Sequence, residues 1–278
     1  MPDLGFETKA LLKKLEAFPR KQMGQNFMVN DSVLSFIKGA LCLKEGDRVL
    51  EIGPGLGFLT RHLLENGNEV LAVEKDILFT KHLEDTFKGR PLGIFQNDIL
   101  KLNLKRDLNV EEPLKIAGNI PYNITSPILE WLILQKPLVS EAVLTVQREV
   151  AERLTARPGN KTWGSLSVFV QFHAKVDFMK VIPKTSFYPV PKVDSAVVRL
   201  EFPLKPIYPV RNEAFFSALV RRAFQKRRKT ILNALLNPKE EKFKKSYLIK
   251  TLEQTCIDPI RRPETLSIPE WVALSESL

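Results

Sequence analysis

Apolar residues recur along this chain in two periods. From Glu7 to Phe18, Leu11, Leu12, Leu15 and Phe18 fall at helical spacing. Asp31 is placed to cap a second helix running through Phe36, Ile37 and Leu41. The pattern then changes to short apolar runs separated by helical stretches. Arg48–Ile52, Glu69–Glu74, Pro91–Gln96, Leu114–Gly118 and Ala142–Val146 read as strands. Helices are expected through Leu59, Leu63 and Leu64, over Ile77–Phe87, and over Thr125–Gln135. Strands alternating with helices in this way predict an α/β fold, a mostly parallel sheet covered on both faces. Val176–Ile182 and Ser195–Phe202 add two more strands. Pro203, Pro206 and Pro209 punctuate a linker, and only helical patterns follow: Phe215–Phe224, Thr230–Leu236, Ser246–Thr255 and Pro269–Leu274. These shifts place a boundary near Leu204, between a strand-bearing domain (1–203) and a small all-helical one (204–278).

Composition narrows the class. The 278 residues are 44% hydrophobic, enough for a sizeable core. Two cysteines, Cys42 and Cys256, exclude a disulfide-rich scaffold and a four-cysteine zinc site, and His62, His82 and His173 lack ligand-like spacing, so no metal is expected. No apolar run approaches the ~20 residues that span a bilayer. With no secretory pattern at the N-terminus, the expectation is a cytoplasmic protein without a membrane partner. The formal charge is +10, and it is concentrated: Glu201 to Arg262 holds 15 Lys or Arg against 6 Asp or Glu. Within that stretch Arg221, Arg222, Lys226, Arg227, Arg228 and Lys229 put six cations in nine residues. Such a run reads either as a solvated helix end or as a set of phosphate contacts, which give affinity with little sequence readout.

The candidate chemistry lies where strands end. Glu51-Ile52-Gly53-Pro54-Gly55-Leu56-Gly57 follows a strand and opens a helix, and Gly53 and Gly55 let backbone approach a ligand. A dinucleotide fingerprint needs G-x-G-x-x-G. Here Gly57 comes one residue early and Phe58 takes the third position, so a ligand without a pyrophosphate fits better. Glu74 ends the next strand, where a carboxylate can accept from both hydroxyls of a ribose. Asp98, at the end of the third strand, reads either as an acceptor for an adenine amine or as a loop acid. Asn119-Ile120-Pro121-Tyr122 follows the fourth strand. Pro121 stiffens the turn, Asn119 offers an acceptor and Tyr122 an aromatic face. Together they suit a planar base carrying an amino group. That amine is a poor nucleophile while its lone pair is delocalised, and acceptors out of the ring plane would draw it towards tetrahedral geometry. The alternative is a polar turn beside a core tyrosine.

Taken together, Gly24-Gln25-Asn26-Phe27-Met28, Glu51–Gly57, Glu74, Asp98, Asn119–Tyr122 and Phe187–Ser195 (FYPVPKVDS) resemble, in order and spacing, the ribosomal RNA adenine N6,N6-dimethyltransferase family, most closely its bacterial small-subunit branch. The resemblance runs from Gln22 to about Trp271. It implies a class I S-adenosylmethionine-dependent methyltransferase, Rossmann-like, with a seven-stranded sheet ending in an antiparallel hairpin. It implies that Asn26 and the backbone at Met28 hold the methionine end of S-adenosyl-L-methionine or close over it, that Gly53 and Gly55 line its turn, and that Glu74 holds its ribose and Asp98 its adenine amine. Asn119 would face both cofactor and target, with Pro121 shaping the turn. Tyr122 and Phe187 would stack on opposite faces of the target adenine. Met28, where leucine is common, and Ile120, also commonly leucine, depart slightly and keep apolar side chains. The implied substrate is 16S RNA in a partly assembled small subunit, at two adjacent adenosines near its 3′ end. A monomer is the default expectation. Two alternatives stand beside this reading: a 23S RNA adenine N6-methyltransferase of the macrolide-resistance type, and a non-catalytic assembly factor that keeps the fold. The glycine spacing disfavours a dinucleotide oxidoreductase.

Overall fold

A computed structural model describes residues 3–20, 24–226 and 228–278. It divides into two compact units, 1–151 with 175–204, and 152–174 with 205–278. The first unit is built on seven strands: β1 (Arg48–Ile52), β2 (Glu69–Glu74), β3 (Leu92–Gln96), β4 (Leu114–Asn119), β5 (Val139–Gln147), β6 (Lys175–Ile182) and β7 (Ser195–Glu201). Their order in the sheet is β3-β2-β1-β4-β5-β7-β6. The first five pair in parallel, and β7 is antiparallel to both β5 and β6. Strand order reverses between β1 and β4, which makes the carboxyl ends of those strands the place where an open α/β sheet binds ligands.

The central strands carry near-continuous apolar runs because both faces are covered: Val49, Leu50, Val70, Ala72, Ile116, Ala117, Ala142, Val143 and Leu144 are fully buried. The first helix spans Leu4–Lys14 rather than starting at Glu7, because Asp3 accepts from the Gly5 and Phe6 N–H groups and caps it. Phe18, expected on its apolar face, lies beyond its end and is exposed. The second helix, Asp31–Ala40, is capped by Asn30, whose side chain accepts from Val33 N, and not by Asp31. A two-residue ribbon ties the N-terminal segment to the end of the chain's strand region: Phe27 pairs with Tyr188 and Met28 with Phe187.

The second unit is a helical cluster around Trp163, Phe172, Phe216, Leu219 and Trp271, with Phe172 and Phe216 stacked at 4.2 Å. The sequence pattern assigns 152–174 to the strand-bearing part. The structure places it with the C-terminal helices, because Trp163, Val168 and Phe172 belong to their core. Trp163 is buried there and donates its indole N–H to Leu266 O at 3.1 Å. The helix Ser165–His173 that carries Phe172 was not legible as a separate element. Among the described residues, no helix is long and apolar enough to cross a membrane.

Candidate active site

A cavity of about 240 Å³ opens at the carboxyl ends of β1, β2, β3 and β4, and all its lining residues belong to the first unit. The glycine turn after β1 forms one wall. Gly53 has φ +67° and Gly55 φ +55°, the left-handed region that L side chains avoid. A Cβ on Gly53 would meet nothing within 4 Å, so this backbone faces open space. A Cβ on Gly55 would lie 3.1 Å from the Phe27 ring. The turn is braced by Glu74, whose Oε2 accepts from Gly55 N at 3.0 Å while Oε1 accepts from Asp76 N at 2.8 Å. Burial pushes the Glu74 carboxyl above its ordinary pKa, and the backbone donors oppose that rise.

Glu51 opens the glycine-turn motif, and no role for it follows from the sequence. It lines the same cavity, fully buried, and its Oε2 accepts from Thr60 Oγ1 at 2.6 Å. Burial raises its pKa to about 8; the Thr60 hydrogen bond opposes the rise and the nearby Glu74 charge adds to it. The acidic residue before the glycine turn was visible in the sequence. Its neutral state follows only from burial.

Asp98 stands at the far end of the cavity. Its Oδ1 accepts from Leu100 N at 3.1 Å, and its Oδ2 meets Lys75 Nζ at 2.9 Å. Burial raises its pKa, but Lys75 and the Leu100 N–H outweigh that and hold it below the ordinary carboxylate range. Asp98 thus caps the turn after β3 and also lines the cavity.

Asn119 ends β4. Its Nδ2 donates to Asn26 O at 2.7 Å, so the amide oxygen is left as the acceptor it can offer a ligand. This bond joins the Gly24–Met28 segment to the turn of Asn119–Tyr122, and Asn26, Met28, Asn119, Pro121 and Tyr122 all line the cavity. Tyr122 is half-buried, with its hydroxyl 2.6 Å from Ser195 Oγ. Phe187 is placed differently from the expectation. It is 2% exposed, packs in the first unit's core opposite Met28, and is not among the cavity's lining residues. The ribbon explains this: pairing with Met28 fixes the backbone and turns the Phe187 ring inwards.

With that geometry in place, comparison with known proteins is decisive. The family model for ribosomal RNA adenine dimethylase matches residues 18–274. The chain belongs to the ribosomal RNA adenine dimethylase family. Relatives of this dimethylase named ribosomal RNA small subunit methyltransferase A include that of Moorella thermoacetica, 41% identical over 98% of this chain and 96% of its own length. That of Geobacillus sp. is 38% identical over 98% of this chain and 95% of its own. Among solved structures, a dimethyladenosine transferase from Plasmodium falciparum superposes with a TM-score of 0.75 at 27% identity, covering 88% of this chain and 94% of its own. The 23S rRNA methyltransferase ErmE superposes with a TM-score of 0.71 at 27% identity, covering 91% and 99%. The dimethylase fold is that of the class I S-adenosylmethionine-dependent methyltransferases.

In the second unit the basic run divides by role. Arg222 is committed to the unit's own packing: it pairs with Glu240 at 2.8 Å and its guanidinium lies 4.0 Å from the centre of the Phe243 ring. Arg221, Lys226, Arg228 and Lys229 are exposed. Arg227 lies outside the described residues.

Proposed function

We propose that this dimethylase converts two adjacent adenosines near the 3′ end of the small-subunit ribosomal RNA to N6,N6-dimethyladenosine, acting on a partly assembled subunit. The observation that carries this reading is the bond from Asn119 Nδ2 to Asn26 O, which leaves the Asn119 amide oxygen as an acceptor between the glycine turn and Tyr122. The naming of the relatives at 37–41% identity after the small subunit supports that substrate over the large-subunit alternative.

The cavity suits S-adenosyl-L-methionine. Gly53 presents bare backbone to open space, and two carboxylates, Glu74 and Asp98, stand at the ends of β2 and β3 with oxygens able to accept further hydrogen bonds. Glu74 would hold the ribose hydroxyls and Asp98 the adenine amine. Gly53 and Gly55 would line the turn, and Asn26, Met28 and Asn119 would stand at the reacting end. Bound there, the cofactor supplies an electrophilic methyl group on a sulfonium. The chain contributes position. Asn119 Oδ1 accepts one N6 hydrogen of the target and turns the nitrogen lone pair out of the ring plane. Pro121 keeps the turn stiff. Tyr122 stacks on the base, which has left its own stack to enter the site, and replaces stacking worth about 1–3 kcal/mol. Aligning two reactants in this way lowers a barrier by roughly 7–11 kcal/mol in favourable cases. The N6 proton becomes acidic once nitrogen gains a fourth bond, and it leaves past the Asn119 amide oxygen or directly to water.

Arg221, Lys226, Arg228 and Lys229 would contact RNA phosphates. We read the enzyme as a monomer in the cytoplasm, the compartment following from its substrate. The test is methyl incorporation from labelled cofactor into small- and large-subunit precursors, with nucleoside analysis. Dimethyladenosine in the small-subunit RNA is expected, and Asn119→Ala should abolish it while keeping most cofactor affinity. Label confined to large-subunit RNA would reverse the assignment.

A further inference from the structure

Tyr122 can stack on a target base only if its ring plane is held, and two rotatable bonds separate that ring from the backbone. The far end of the ring is anchored. Tyr122 Oη lies 2.6 Å from Ser195 Oγ, a residue 73 positions later in the chain. Ser195 is fully buried. It opens β7 and is paired on one side with Gln147 of β5 and on the other with Ile182 of β6. The residue before it is tied down as well: Asp194 O accepts from Arg148 N at 3.0 Å, and Asp194 Oδ1 accepts from Lys184 N at 2.9 Å. The serine hydroxyl therefore sits on backbone paired on both sides, and the tyrosine reaches it with the single atom that phenylalanine lacks.

We propose that Ser195 is a positioning residue for methyl transfer: its hydroxyl holds Tyr122 by the phenol oxygen and so sets the plane on which the target adenine stacks. This rests on Tyr122 being the stacking partner, as read above. A serine needed only to fill the sheet would act through stability alone. A serine that sets the ring acts through Tyr122, so its removal and the removal of the phenol oxygen should be one lesion rather than two.

The experiment compares Ser195→Ala, Tyr122→Phe and the double variant in single-turnover methyl transfer to small-subunit particles. Cofactor affinity and thermal melting are measured alongside. Each single variant should lose roughly ten-fold in the transfer rate, the scale of one hydrogen bond between partly buried groups. The double variant should lose no more than the worse single, and cofactor Kd should stay within about two-fold of native. Losses that multiply in the double variant, or a native rate in Ser195→Ala, would overturn the proposal. If Ser195→Ala does not fold, Tyr122→Phe alone decides: it keeps the ring and loses the anchor, and a native rate would refute the clamp. A crystal structure of Ser195→Ala is read independently of RNA, with the Tyr122 ring expected to leave its native orientation; an unmoved ring refutes the clamp. A displaced ring together with a native enzyme that does not methylate small-subunit RNA would instead leave the clamp standing and remove the proposed substrate.

Discussion

At the scale of single residues, the unusual feature is a carboxyl group that does not ionise where carboxyls ordinarily do. Glu51 has a pKa raised to about 8 by burial, so it is mostly protonated at neutral pH. Because the folded protein holds this proton more tightly than the unfolded chain, Glu51 favours folding fully below its ordinary pKa of 4.5. That contribution is lost progressively as pH rises towards 8. Glutamine keeps the shape and cannot ionise. The melting temperature of Glu51→Gln, measured against native protein from about pH 5 to about pH 8.5, should therefore gain on the native value as pH rises. A difference that stays constant across this range would mean that Glu51 ionises freely in the fold. Little of this was legible in the sequence, where Glu51 is simply the acid before a glycine turn. The same holds for Phe187: its place in the motif is clear from the chain, but its burial opposite Met28 comes from a ribbon joining segments 159 residues apart.

At the scale of elements, the turn after β1 shows how a local constraint and a distant one meet. The left-handed backbone at Gly55 is a local demand, readable from the glycine spacing. The contact with Phe27 and the bond to Glu74 come from other parts of the chain. Gly55→Ala should cost about 1–2 kcal/mol of stability from the backbone conformation, with the Phe27 ring having to give way besides. It should also weaken cofactor binding, because the N–H that braces Glu74 moves. Thermal melting and calorimetric titration with S-adenosylmethionine would read the two effects. An alanine variant that melts and binds like the native protein would show that the turn is not under this constraint. Strand and helix positions were largely readable for the same local reason: apolar runs mark strands covered on both faces, and capping residues mark helix starts. The shift of the second helix cap from Asp31 to Asn30 shows the limit, since adjacent residues with equivalent side chains differ only in backbone conformation.

At the scale of the whole molecule, the proposed RNA contacts rest on where the positive charge is exposed. The exposed cations of the basic run, Arg221, Lys226, Arg228 and Lys229, differ from Arg222, which is held by Glu240 and the Phe243 ring. Arg228→Glu with Lys229→Glu should weaken binding to small-subunit particles. It should also flatten the slope of log K against log salt by roughly 1.5, the loss of about two phosphate contacts. Arg222→Ala should instead lower the melting temperature of the second unit and leave that slope nearly unchanged. An unaltered slope in the double charge reversal would place the RNA phosphates on other residues.

Order along the chain was enough to establish the alternation of strands and helices, the glycine turn, the Asn119–Tyr122 tetrapeptide and the basic stretch. Each of these is written in neighbouring residues through period, backbone freedom or local charge. Folding settled what neighbours cannot express: that Glu51 is neutral, that Phe187 is core, that 152–174 packs with the C-terminal helices, and that Ser195 meets Tyr122. Burial and pairing between residues far apart in sequence depend on which strands become neighbours, and no local pattern carries that information.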